Sequence, residues 1–357
     1  MNILVTGNLG YVGPVVMARL RAAFPKARLI GLDAGYFADA LLDPASPGQL
    51  PDEQILDDVR DFPARRLAGI ASVVHLAGIS NDPIGNLFED ATGQVNYEAT
   101  VALAANARRA GAASFVFASS CSVYGFAEDG ARGESSAVNP LTAYARSKYA
   151  AERALAGLAG REFPITCLRF ATACGRSPRL RLDLVLNDFA ASAVSNREIR
   201  ILSDGTPWRP LIDVADMARA IEWAITRPAS SGGEFLAVNA GSNEWNYQVK
   251  DLAAAVATAL PGTAIHLNPD AQPDKRSYKV RFDLFRRLAP RHQPVSTLAG
   301  TIAELVRALE SAGARGAGFS RDRYVRLRSL LDLRERGLLD AGMRWAPATP
   351  AQLPEVA

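Results

Sequence analysis

The chain has little cysteine. Cys121, Cys167 and Cys174 are three residues in 357, with no spacing of a disulfide framework or a metal site. That argues against a stapled secreted scaffold and a structural metal, and points to a reducing, cytoplasmic setting. Charge of one sign is also missing: 40 basic residues face 37 acidic ones, for a net +3. So even a balance gives no reason to expect a nucleic-acid partner. No apolar run approaches the roughly 18–20 residues of a membrane span. The N-terminus enters an apolar stretch at once, without the basic segment of a secretory signal. There is no internal repeat and no low-complexity tract. What remains, with 48% hydrophobic and 22% charged residues, is the composition of an ordinary globular protein.

Apolar runs alternate with helical stretches. Asn2–Thr6 reads as a buried strand, Gly7-Asn8-Leu9-Gly10-Tyr11-Val12-Gly13 as a glycine turn, and Val15–Ala23 as a helix. Such a turn lets backbone approach a pyrophosphate, with helix N–H groups as donors. The second strand, 28–32, ends at Asp33, about 20 residues past the glycines, where a carboxylate suits the ribose hydroxyls of NAD and repels a 2′-phosphate. Residues 39–53 read as a loop and 54–56 as a short strand before Asp58. Ser72–Leu76 is a strand ending in Ala77-Gly78; His75 within it reads as a core histidine. Further helices are expected over 93–110, 140–158, 182–195 and 247–260. Further strands are expected over 114–118, 165–170, 199–202, 234–239 and 264–267. This alternation predicts an α/β fold with a doubly wound parallel sheet.

Tyr144 and Lys148 are one helical turn apart and share a face. An ammonium beside a phenol favours the phenolate, so Tyr144 is expected to have a depressed pKa and to serve as a general base. The serines of Ser119-Ser120-Cys121-Ser122 follow a strand and are placed to bond the same substrate hydroxyl. Residues 269–276 read as a ligand-facing loop, and 324–336 as an amphipathic surface helix.

These residues resemble the extended short-chain dehydrogenase/reductases, in the NAD-dependent sugar-nucleotide epimerase/dehydratase family, over about residues 1–285. The resemblance rests on Thr6-Gly7-x-x-Gly10-x-x-Gly13, Asp33, Asp58-Val59, His75-Leu76-Ala77-Gly78, Asn96, Ser119–Gly125, Tyr144-x-x-x-Lys148, Leu168-Arg169-Phe170 and Trp208–Val214. It implies a Rossmann-like NAD-binding domain, 1–178 with 205–242 returning to it. A smaller C-terminal substrate lobe, 179–204 and 243–357, completes the chain. Thr6, Gly7, Leu9, Gly10, Tyr11, Val12 and Gly13 would cradle NAD. Asp33 would take the adenosine ribose, and Asp58 and Val59 the adenine. Leu76, Ala77, Gly78, Asn96, Ser119, Phe170, Tyr144 and Lys148 would complete the cofactor site. Tyr144 would be the base, tuned by Lys148, with Ser120 on the reacting oxygen. Ser80, Ser120, Thr172, Asn187, Arg209 and Arg276 would hold a nucleotide-diphosphate sugar, the arginines gripping phosphate. No metal is implied. A homodimer through a four-helix bundle of about 93–110 and 141–158 is implied.

The chain departs from the 4,6-dehydratases of this family, which carry one or two acids where Cys121 and Ser122 stand. Serine does not replace a carboxylate as an acid/base at neutral pH, so a 4-epimerase acting through a 4-keto sugar is the favoured expectation. The alternatives are a dehydratase with a relocated acid, a ketosugar reductase or dehydrogenase, or a silent NAD-binding scaffold. Cys121 reads either as a small filler or, with a lowered pKa, as an acid/base.

Overall fold

In the computed structural model the described residues are 1–45, 47–127, 130–268, 271, 277–316 and 318–347. Seven strands form one parallel sheet: β1 (Asn2–Thr6), β2 (Arg28–Asp33), β3 (Glu53–Leu56), β4 (Ser72–His75), β5 (Ser114–Ser120), β6 (Ile165–Phe170) and β7 (Phe235–Ala240). Their order across the sheet is β7-β6-β5-β4-β1-β2-β3. β4 and β6 are buried at every position, as strands covered on both faces must be. Helices Gly13–Ala23 and Val214–Thr226 cover one face around Val16, Leu20 and Ile221. Helices Ala99–Arg109 and Ala143–Ala156 cover the other around Leu103, Ala107 and Leu155. Strand order reverses between β1 and β4, so their loops part and leave a crevice at the carboxyl ends.

Local chemistry sets the helix ends. Pro14 opens the first helix, where its missing N–H costs nothing. Thr142 caps Ala143–Ala156 by accepting from Ala145 N at 3.2 Å, so this helix starts later than the expected 140. Asp213 caps Val214–Thr226 in the same way at 2.8 Å. The helix expected at 93 begins upstream. Short helices Asp82–Leu87 and Glu89–Gly93 lead through a wide π-type turn at Gln94–Glu98 into Ala99–Arg109.

A second apolar cluster forms beyond the sheet from helices Val185–Asn196, Val249–Ala259 and Leu298–Ser311. The last helix, Arg326–Glu335, does not lie loose on the surface. It buries Arg326 and Leu330, and Leu330 packs with Leu339 and Met343 against Ile79, Ile84 and Phe88. The leucine spacing alone did not show this, because the partner residues lie some 240 positions away.

A buried ion pair ties β6 to the helix bearing Tyr144. Arg169 Nη2 meets Glu152 Oε2 at 2.7 Å, and Arg169 Nε spans both carboxylate oxygens at 3.0 and 3.1 Å. Glu152 is 2% exposed and Arg169 6%. Truncating one partner leaves the other charge unpaired. Glu152→Ala is therefore expected to lower the unfolding free energy by about 3–5 kcal/mol in urea titrations at pH 7; a loss under 1 kcal/mol would contradict this account.

Candidate active site

The crevice opens into a cavity of about 1000 Å³, large for one small molecule. One end is built by the β1 turn. Gly7 has φ +72°, and a Cβ there would meet Ala77 N at 2.6 Å, so only glycine lets this turn lie against the end of β4. Gly7, Gly10, Tyr11 and Val12 line the wall. Asp33, at the end of β2, accepts from Leu9 N at 2.9 Å and Gly35 N at 2.8 Å. Its carboxyl is nonetheless pushed up, because burial outweighs those bonds. Asp58 and Val59 are on the wall beside it, and Arg60 donates to Asp58 at 2.5 to 3.0 Å. Leu76, Ala77, Gly78, Ser119 and Phe170 complete this end.

Thr6, Leu9, Gly13 and Asn96 do not line the cavity; they hold the residues that do. Thr6 Oγ1 bonds His75 Nδ1 at 2.7 Å and accepts from Ala77 N at 3.2 Å. Thr100 takes the other nitrogen of His75 at 2.8 Å; the ring is buried and its pKa falls to about 3, as a core histidine's should. Gly13 leaves no room for a Cβ against the Asn8 backbone. Asn96 accepts from Ile79 N at 2.8 Å and donates to Ile79 O at 2.9 Å and Ser147 Oγ at 3.1 Å.

Further in, Ser120, Ser122, Tyr144 and Lys148 share the wall with Ser80, Thr172 and Arg209. Ser120 hydrogen-bonds Tyr144 and pulls its pKa down, and so does the charge of Arg181. Burial is the larger effect, so the phenol stands above its ordinary value rather than below it. Lys148 Nζ is 5.8 Å from the Tyr144 ring centroid and 4.6 Å from that of Phe117. The expected tuning by Lys148 is not seen: the charge that lowers Tyr144 is that of Arg181, and desolvation draws Lys148 itself down from 10.5 to about 8.

Two expectations change. Cys121 is 1% exposed and off the cavity wall. Its Sγ donates to Arg169 O at 3.1 Å, and burial raises the thiol far above the range of a useful base. Asn187 faces inward, accepting from Gly175 N at 3.0 Å and donating to Tyr11 OH at 3.1 Å and Arg181 O at 3.0 Å. It braces two wall residues and is not on the wall. Arg276, with most of the 269–276 loop, lies outside the described residues.

Other wall residues had no sequence motif to announce them. Arg181 reaches Asp183 at 3.0 and 2.7 Å and Ser80 at 3.0 Å. Asp82 accepts from Thr142 Oγ1 at 2.7 Å. Tyr36, Phe37, Arg326, Leu330 and Met343 close the cavity at the Asp33 end. Only the arginine cluster at 176–181 was a signal in the sequence.

Lys148 gives a pH-dependent test. With its pKa held below the unfolded value, the charged form is disfavoured by folding, and that penalty is complete below about pH 8 and gone above 10.5. Lys148→Met should therefore raise the unfolding free energy of the protein, measured without added cofactor, by about 1–3 kcal/mol at pH 7. The gain should shrink as pH rises from 8 to 10.5. A pH-independent difference would contradict this.

The profile of the NAD dependent epimerase/dehydratase family matches residues 3–241. A dTDP-glucose 4,6-dehydratase of Streptomyces griseus is 27% identical over 310 residues, 85% of this chain and 93% of that protein. A UDP-glucose 4-epimerase of Rhizobium leguminosarum bv. trifolii is 28% identical over 280 residues, 71% of this chain and 81% of that one. The solved structure of MoeE5 in complex with UDP-glucose and NAD is 25% identical, with a TM-score of 0.73, covering 87% of this chain and 99% of its own. With this profile spanning most of its sheet and the wall of its cavity, the chain belongs to the NAD dependent epimerase/dehydratase family of sugar-nucleotide enzymes.

Proposed function

We propose that the chain is a nucleotide-sugar epimerase that works through a transient 4-keto sugar. The observation that carries this reading is the pair after Ser120. Cys121 is turned into the core, and Ser122, which does face the cavity, has no carboxylate for removing a proton and a hydroxyl from neighbouring carbons. The Asp33 end suits a dinucleotide. A carboxylate oriented by backbone N–H groups stands ready for ribose hydroxyls, and the glycine turn leaves room for phosphates. When bound, NAD supplies a reversible hydride acceptor and a positive charge in the cleft.

Tyr144 takes the proton of the sugar 4-hydroxyl, and Ser120 holds that oxygen. Positive charge in the cleft favours the phenolate that burial disfavours. Lys148 orients the cofactor's ribose. Arg209 and Thr172 hold the nucleotide sugar. The ketosugar presents its other face, Tyr144 returns the proton, and with the hydride given back as well the product has the substrate's mass. On this reading residues 1–178 and 205–242 bind the cofactor. Residues 179–204 and 243–357 form the sugar-nucleotide lobe and the C-terminal helices. Two copies pair through the helices at 99–109 and 143–156, and light scattering at twice the chain mass would support that.

Dehydration is the second reading. It has one observation in its favour: Asp82 lines the same cavity and its charge acts on Tyr144. A panel of nucleotide sugars in D₂O, followed by NMR and mass spectrometry, separates the two. An epimerase yields an isomer of unchanged mass with no deuterium on carbon. A dehydratase loses water and gains carbon-bound deuterium, and that result would overturn the proposal. Tyr144→Phe should lower turnover roughly 10²- to 10⁴-fold; full turnover in that variant would also overturn it.

A further inference from the structure

The last described segment carries a charge into the cofactor end of the cavity. Arg326 opens the helix Arg326–Glu335, is 2% exposed, and lines the cavity. Its guanidinium lies 4.1 Å from the Phe37 ring centroid, and Nη2 donates to Arg179 O at 3.3 Å. Among the described residues Arg326 Nη1 and Arg179 Nε, both buried, have no partner. A buried guanidinium nitrogen without an acceptor is costly unless something anionic completes it. Two further cations stand near Arg326. Arg179 and Arg181 both act on Arg326, the carboxylates acting on Arg326 are Asp183 and Asp33, and Asp33 and Asp39 act on Arg179. Asp183 is already bound by Arg181. The helix that starts at Arg326 has no side-chain cap, so its first N–H groups point the same electrostatic way.

The segment is fastened to the loops of the same end. Leu182 N donates to Tyr324 O at 2.9 Å. Arg60 donates to Gly342 O at 2.7 Å and Met343 O at 3.1 Å, Trp345 Nε1 to Ala34 O at 2.5 Å, and Tyr36 OH to Met343 O. Arg344 pairs with Asp61. The segment thus joins the loop after β2, with Tyr36 and Phe37, to the loop after β3, with Asp58 and Arg60. The family profile ends at residue 241, well before it.

We propose that Arg326 is a ligand for the diphosphate of the bound dinucleotide, and that residues 324–345 form a strap that retains the cofactor between turnovers. A planar donor fork with one buried nitrogen unpaired suits phosphate oxygens. The inference rests on the cofactor cleft proposed above and not on which reaction follows.

The test uses the full chain with Arg326→Gln and Arg326→Lys. Binding of NADH and ADP-ribose is measured by fluorescence and calorimetry, and thermal midpoints are taken with and without NADH. Arg326→Gln should weaken both ligands roughly 10- to 100-fold, the range for losing a hydrogen bond to a charged group. It should also speed NADH release and purify with less nucleotide. Arg326→Lys should recover part of the affinity, because the charge stays. Without ligand, Arg326→Gln should unfold no earlier than the parent, since it removes a buried charge that its neighbours compensate only in part; the NADH-induced rise in midpoint should shrink. Affinity within twofold of the parent, or a lowered midpoint without ligand and an unchanged NADH-induced rise, would make Arg326 a packing residue and overturn the proposal. A parent protein that binds neither NADH nor ADP-ribose would overturn the cofactor cleft itself and the strap with it.

Discussion

One buried amide holds the site in register. Asn96 closes three hydrogen bonds at once, two to the Ile79 backbone and one to Ser147. Ile79 belongs to the loop leaving β4, and Ser147 to the helix that carries Tyr144 and Lys148. The amide therefore sets how far that helix stands from the crevice. A Cβ on Gly78 would meet Asn96 Oδ1 at 2.9 Å and Lys148 Nζ at 3.3 Å, which shows how little slack the arrangement has. Asn96 itself sits in the wide helical turn at 94–98, which lets the side chain reach back to the loop. Buried backbone groups must be satisfied, and here a side chain satisfies both groups of one residue while fixing its neighbour.

Around this joint the protein collects charge that it only partly neutralises. Glu152 and Arg169 balance each other in the core and also anchor Ser119, whose hydroxyl bonds Glu152. Arg181 and Asp183 do the same at the cavity wall. Lys148 and Arg326 differ, being pushed below their ordinary pKa by burial, Lys148 to about 8 and Arg326 to about 9. Both face the cavity. A cavity in which Lys148 and Arg326 are held below their ordinary pKa by burial gains stability when an anion enters beside them.

The sheet was legible because parallel strands buried on both faces must be short continuous apolar runs, and β1, β4, β5 and β6 are. The glycine turn was legible because positive φ at Gly7 and crowding at Gly13 forbid other residues. Less was legible in the direction that side chains take. Cys121 and Ser122 are neighbours, yet one enters the core and the other the cavity. Asn187 looked like a ligand group and proved to be an internal brace. Thr6 and Asn96, assigned to the cofactor, support the residues that line its cleft.

By itself, the amino-acid order determined the α/β class, the nucleotide-type crevice and the Ser120, Tyr144 and Lys148 set, because these depend on local periodicity and on residues close in the chain. Tertiary structure alone decided the electrostatics of that set. Lys148 and Tyr144 share a helix face, but burial is the largest influence on each, and the groups that pull Tyr144 back down are Ser120 and Arg181. It also decided the place of the tail. The leucines of 326–335 show a helix with an apolar face, whereas what that face covers depends on residues some 240 positions earlier, a relation no local pattern encodes.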